Sequence, residues 1–296
     1  MEKKDDDRNP GEFAQKAPKG TGARGPIMAI GGAETRSTRG EILQQFFEMA
    51  GGPEARVVTI PTASEDPGAG EDYVRIFASM GVQSSTLCPI RSREDANSDR
   101  CAAPILDATG IFLSGGDQNR LTQLLVGTLA ADCIRRRSAQ GATVAGTSAG
   151  ASILSANVMS SGDGEAAPRK GMTEMVAGLA LTNDVIIDQH FNARGRIGRL
   201  LVIFSMSPGL IALGVDENTA AVITDKGLVT AIGENSVFVL DGRSVYSDVF
   251  DREEGEVITL TGCTLHTLGR GRSFDLNGRC VVGIVEEQTG STADES

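Results

Sequence analysis

Tryptophan is absent from this chain of 296 residues, and tyrosine occurs only twice. A platform of stacked aromatic rings for gripping single-stranded nucleic acid is therefore excluded. No stretch approaches the roughly 18 to 20 consecutive apolar residues that a membrane span needs. Positive charge is also short: 28 Lys and Arg face 39 Asp and Glu, a net charge of −11. Such a surface repels phosphate backbones and anionic lipids, so neither nucleic acid nor membrane is expected as a partner. The five cysteines (Cys88, Cys101, Cys133, Cys263, Cys280) are odd in number and none has Cys-x-x-Cys spacing. That argues against a disulfide framework and a zinc site, and scattered thiols fit a reducing cytoplasm. The only histidines, His190 and His266, are distant from each other and lack a carboxylate at helical spacing. No metal is expected. The Gly31-Gly32 pair does not complete a dinucleotide fingerprint and no Gly-Lys-Ser/Thr phosphate loop occurs, so no cofactor is expected either.

What is present is a globular composition, 40% hydrophobic and 23% charged, with 37 glycines that follow no fibrous period. Residues 1–26 are charged, contain Pro and Gly, and lack the apolar segment of a secretory signal; they read as a disordered tail. Residues 287–296 read as a short flexible tail, leaving 27–286 as a single α/β domain. Within it, strands expected at 27–30, 57–60, 83–88, 111–114 and 143–145 alternate with helical stripes. One such stripe is Ile42, Leu43, Phe46, Phe47 and Ala50; another runs from Leu121 to Ile134 as one long helix. A strand at 185–188 and a helix through Ile197, Leu200, Leu201 and Phe204 follow. Beyond Leu210, strand-like runs at 210–215, 220–224, 229–232, 237–240, 257–260 and 281–285 are joined by tight turns. The pattern predicts a largely parallel sheet sandwiched by helices, with an antiparallel β-rich C-terminal extension. In such a sheet the site lies at the carboxyl ends of the strands.

Gly146-Thr147-Ser148-Ala149-Gly150 stands at one of those ends, a Gly-x-Ser-x-Gly between a strand and a helical run. A sharp turn there lifts the serine hydroxyl above the sheet and leaves the next amide facing a developing oxyanion. Serine needs a base. His190 closes the strand Val185–Asp188 at Asp188-Gln189-His190, whereas His266 lies in the β-rich extension and suits a structural role. The orienting acid is Asp216 or Glu217, adjacent residues of which only one can face the imidazole. Serine, histidine and acid then occur in a different chain order from the α/β-hydrolases.

These strings together resemble the cyanophycinases, serine peptidases with a class I glutamine amidotransferase-like fold that degrade the storage polymer cyanophycin. The resemblance runs from about Ile27 to Val285 and rests on AIGGAE, LSGGDQNRL, AGTSAGAS, DQHFNARGRIGRL and ALGVDENTAAV. It implies Ser148 as nucleophile, His190 as base and Glu217 as orienting acid, with an oxyanion hole at Gly116 and Ala149. Gln118, Asp188, Gln189, Arg194, Arg196 and Arg199 fall on the family's pocket positions. It further implies cyanophycin as substrate, β-Asp-Arg dipeptides as products, a homodimer, and a cytoplasmic setting. Cyanophycin is a poly-aspartate chain with arginine on each β-carboxyl, so clustered arginines suit its carboxylates and Asp188 its guanidinium groups. The turn after Gly31-Gly32 departs from the family, with Thr35 and Arg36 in place of Asp and Lys. A related peptidase of aspartyl dipeptides is the nearest alternative. A non-catalytic binder of an Arg/Asp-rich polymer is another, against which the intact Ser148, His190 and Glu217 speak.

Overall fold

The computed structural model describes residues 23–160, 162, 167–183 and 185–283. The tail expected before residue 23, the end of the last expected strand and the 287–296 tail lie outside the described residues. Arg24, Gly25 and Pro26, read from composition as tail, are held against the sheet. Gly25 N donates to Ser138 O at 2.8 Å, Arg24 Nη2 to Thr224 O at 3.0 Å, and Val144 N to Pro26 O at 3.1 Å.

The first strands are β1 (Ile27–Ile30), β2 (Arg56–Ile60), β3 (Ser84–Leu87), β4 (Gly110–Leu113) and β5 (Thr143–Thr147), mainly apolar except β3, which reads Ser-Ser-Thr-Leu at the sheet's edge. Between them lie α1 (Glu41–Met49), α2 (Glu71–Met80), α3 (Arg93–Ala96), α4 (Asp99–Asp107), α5 (Gln118–Leu125) and α6 (Leu129–Ala139). The single helix expected across Leu121 to Ile134 is thus two. Gly127 takes φ +72° and Thr128 caps α6, its Oγ1 accepting from Ala131 N, so the chain turns sharply between them. The short α7 (Ala149–Ser152) and the hairpin of β6 (Asn157–Met159) and β7 (Met175–Ala177) come next. They lead to β8 (Val185–Gln189), α8 (Ile197–Met206), β9 (Ile211–Val215), β10 (Thr219–Ile223), β11 (Leu228–Gly233) and β12 (Val237–Asp241). The chain continues through β13 (Tyr246–Ser247), β14 (Leu260–Thr261), β15 (Thr264–Leu268), β16 (Ser273–Asp275) and β17 (Cys280–Val282).

A nine-stranded sheet in the order β17-β16-β11-β10-β1-β5-β4-β2-β3 forms the centre. Its pairs from β1 to β3 are parallel, and those from β1 outward through β10 are antiparallel. The C-terminal strands do not all extend this sheet. A second sheet, β15-β12-β9-β8, takes the strands that lead to His190 and Glu217, with β8 parallel to β9. Alternation along the strands explains the layering. Met28, Ile30, Val57, Phe112 and Ala145 face α1 and α2. Ile27, Ala29, Val58, Ile111 and Val144 face the other way, onto α4–α6 and onto Ile187, Leu213 and Val239 of the second sheet. The far side of that sheet carries α8 through Leu200, Ile203 and Phe204. Among the described residues, no helix is long and apolar enough to cross a membrane.

Under α1 and α2 the rings are packed against one another. Phe112 is fully buried and lies 4.5 Å from Tyr73 and 5.5 Å from both Phe46 and Phe77, centroid to centroid. Truncating such a ring removes its transfer free energy and leaves a cavity. Phe112→Ala should therefore lose about 3 to 5 kcal/mol of stability in urea denaturation; a loss below about 1 kcal/mol would contradict this packing.

Candidate active site

β1, β4 and β5 run parallel and finish at one edge, Ile30 pairing with Thr147 and Leu113 with Gly146. Ser148 follows at once with φ +54° and ψ −119°. A non-glycine residue in so sparsely populated a region stores about 1 to 3 kcal/mol and needs surroundings that enforce it. The turn is tight enough that a Cβ on Gly146 would sit 2.0 Å from Gly150 O, so no side chain fits there. α7 begins at Ala149, whose amide, as the first of a helix, has no intrahelical acceptor. The Gly115-Gly116 turn lies alongside, a Cβ on Gly115 falling 3.6 Å from Ser148 Oγ.

The second sheet delivers the other two groups. His190 follows β8, and its Nε2 lies 3.0 Å from Ser148 Oγ. Its Nδ1 lies 2.6 Å from Glu217 Oε1, just beyond β9. With Nδ1–H donating to the carboxylate, Nε2 offers a lone pair to the serine hydroxyl. Gln189 Oε1 also lies within 3.3 Å of Ser148 Oγ. Alternation decides between the two acids. Asp216 points away, accepting from Asn192 N at 2.8 Å, and burial raises its pKa. His266 lies on β15 with its ring 5.2 Å from Phe274, and is not part of this relay. The hydroxyl, imidazole and carboxylate can carry out nucleophilic attack with general-base assistance.

The charged residues around His190 are arranged otherwise than expected. Asp188 has no solvent exposure, so it presents nothing to an arriving guanidinium. Its Oδ2 accepts from Arg199 Nε at 2.7 Å, and its Oδ1 from Arg199 Nη2 and from Arg196 Nη1, the latter at 3.1 Å. Arg196 and Arg199 are only 8% and 4% exposed, so they form neither a solvated helix face nor free carboxylate forks. Arg196 Nη1 also reaches Gln189 O at 2.6 Å, and Arg199 Nη1 reaches Gly162 O at 3.3 Å. Burial lowers the Arg196 pKa to about 10, with Asp188 opposing the shift. An acid inside an apolar strand must be paired, and these two arginines pair it. Arg194 remains exposed, its backbone N bonded to His190 O at 3.0 Å. Gln118 Nε2 donates to Met159 O, tying the start of α5 to β6.

Sequence reasoning missed another buried acid near the site. Glu34, 4% exposed, accepts from Thr147 Oγ1 at 2.6 Å and from the Tyr73 hydroxyl. Nothing local signalled it, because only the tertiary structure brings Glu34 to Thr147, 113 residues away in the chain. Arg36, at the departure from the family turn, lies over the Tyr73 ring at 5.0 Å. Among the described residues, no group of three or more His, Cys, Asp or Glu side chains is placed to hold a metal ion.

Comparison with known proteins agrees with this architecture. Residues 27–231 match the profile of Peptidase family S51. A cyanophycinase of Trichormus variabilis is 36% identical over 262 residues, spanning 88% of this chain and 88% of that one. A cyanophycinase of Geminocystis herdmanii is 34% identical over 267 residues, 89% of this chain and 98% of that one. The crystal structure of a peptidase from an acI-B1 Actinobacterium superimposes with TM-score 0.61 at 20% identity, covering 86% and 97% of the two chains. That last likeness concerns the fold.

The buried charge cluster generates a prediction of its own. Arg199→Met leaves Asp188 with Arg196 alone and should cost on the order of 3 kcal/mol in denaturant unfolding. Wild-type stability combined with a selective loss of substrate affinity would contradict the pairing.

Proposed function

The chain belongs to peptidase family S51 and is a serine-type peptidase, and from that premise we propose that it hydrolyses cyanophycin to β-Asp-Arg dipeptides through a Ser148–His190–Glu217 relay. The observation that carries the reading is the unbroken chain of contacts from Ser148 Oγ to His190 Nε2 at 3.0 Å and from His190 Nδ1 to Glu217 at 2.6 Å. The names of the curated relatives support the substrate. In the first half-reaction Ser148 Oγ attacks a backbone carbonyl carbon while His190 Nε2 takes its proton. Glu217 steadies the imidazolium, and the amides of Ala149 and Gly116 receive the oxyanion. The C–N bond then breaks, with the proton passing from Nε2 to the departing amine. Water, deprotonated by the same imidazole, cleaves the serine ester and restores the hydroxyl.

Substrate contacts are reassigned accordingly. With Arg196 and Arg199 committed to Asp188, the exposed Arg194 is the cation of this segment that meets a substrate carboxylate. Gln189, whose Oε1 accepts from Ser148 Oγ at 3.3 Å, and Gln118 at the start of α5 are the further polar side chains assigned to the substrate.

The test is hydrolysis of insoluble cyanophycin beside an α-linked Asp-Arg peptide, with products identified by mass. The wild type should release β-Asp-Arg and spare the α-linked peptide, and Ser148→Ala should lose on the order of 10⁴- to 10⁶-fold in rate. Preference for the α-linked peptide would favour an aspartyl dipeptidase. Polymer binding without any product would contradict catalysis.

A further inference from the structure

The turn that follows β1 touches all three segments of the relay. A Cβ on Gly32 would sit 2.4 Å from His190 Cε1 and 2.5 Å from Nε2, so the Gly32 backbone lies directly against the imidazole. Gly32 O accepts from Asn218 N at 2.8 Å, and Thr35 N donates to Asn218 Oδ1 at 3.0 Å, so the same turn grips the neighbour of Glu217. Gly32 and Ala33 have φ of +99° and +50°, two successive left-handed residues that fold the chain back under the sheet edge. That reversal carries Glu34 to Thr147, the residue before Ser148. There both carboxylate oxygens are used, one by the Thr147 hydroxyl and one by the Tyr73 hydroxyl. Burial and the adjacent Glu34 raise the Tyr73 pKa, which keeps that hydroxyl a donor.

We propose that Glu34 is a positioning residue for the hydrolysis: by tying the 31–36 turn to Thr147, it holds Gly32 against His190 and sets the distance between imidazole and serine. A strained turn relaxes unless something outside it resists, and here the carboxylate supplies the resistance. Glu34 touches neither substrate nor the reacting atoms. Its effect is on alignment, to which rates are steeply sensitive, a 1 Å misplacement costing up to about 10²-fold. The proposal rests on the serine mechanism given above.

Two readouts separate alignment from substrate binding: kcat and KM on cyanophycin, and the rate at which Ser148 reacts with a small fluorophosphonate. For Glu34→Ala, kcat and the labelling rate should fall together by about 10- to 100-fold, with KM changed less than about threefold. Glu34→Gln should recover most of the loss, because its amide oxygen accepts from Tyr73 and its NH₂ donates to Thr147 Oγ1. Thr147→Val, which removes the pin without touching the acid, should reproduce Glu34→Ala, and Thr147→Ser should not. The Thr147 pair carries the test even if Glu34→Ala fails to fold. Wild-type kcat and labelling in Thr147→Val or in a folded Glu34→Ala would overturn the proposal, as would a rise in KM alone. Failure of the wild type itself to label at Ser148 would overturn the serine mechanism, and the inference with it.

Discussion

Three consecutive carbonyls at the end of β1 organise the site. Ile30 O accepts from Ser148 N at 2.9 Å, Gly31 O from His190 N at 2.8 Å, and Gly32 O from Asn218 N at 2.8 Å. Serine, base and the neighbour of the acid, drawn from positions far apart in sequence and from two sheets, are therefore registered on one short stretch of backbone. The same three residues have φ between 47° and 54°, a conformation that non-glycine residues rarely hold. Each strained residue costs about 1 to 3 kcal/mol, while one backbone hydrogen bond returns about 1 kcal/mol net. The bonds alone do not hold the geometry. The strands behind them do, since β1 is fully buried and fixed by the parallel β5 on one side and the antiparallel β10 on the other.

Charge is used with the same economy of position. Two buried acids beside Ser148 and His190 stay outside the relay: Asp188 is neutralised by Arg196 and Arg199, and Glu34 is satisfied by two hydroxyls. Each fixes a segment next to a relay residue, the first at Gln189-His190 and the second at Thr147. The relay carboxylate differs. Glu217 keeps 42% of its side chain exposed, and it alone of the three acids faces the imidazole. Alternation along the chain separates it from Asp216, which is taken up by the Asn192 amide.

Much of this was legible in the sequence, and what was not has definite physical causes. The strands around Ile27, Val57, Ile111 and Val144 were readable because strands buried on both faces are unbroken apolar runs. Ser148 and His190 were readable because each terminates such a run in a polar cluster. Strand pairing was not, since nothing local to Val185–Asp188 says that it joins β9 in a second sheet rather than the central one. The break near Gly127 was hidden because apolar spacing continued across it. The arginines misled for a related reason. Their spacing shows that Arg196 and Arg199 share a helix face, but only the tertiary structure shows that this face closes over Asp188. An aspartate in a fully apolar strand was the available clue, because such a charge must find partners inside the protein.

The central claim is that the end of β1, itself fixed by its neighbouring strands, registers the relay through three backbone hydrogen bonds, and native-state amide hydrogen exchange tests it most directly. The amides of Ser148, His190 and Asn218 should exchange among the slowest in the protein, with one common free energy close to that of global unfolding. Exchange of any of the three through local opening, at the rate of ordinary surface turns, would contradict the account.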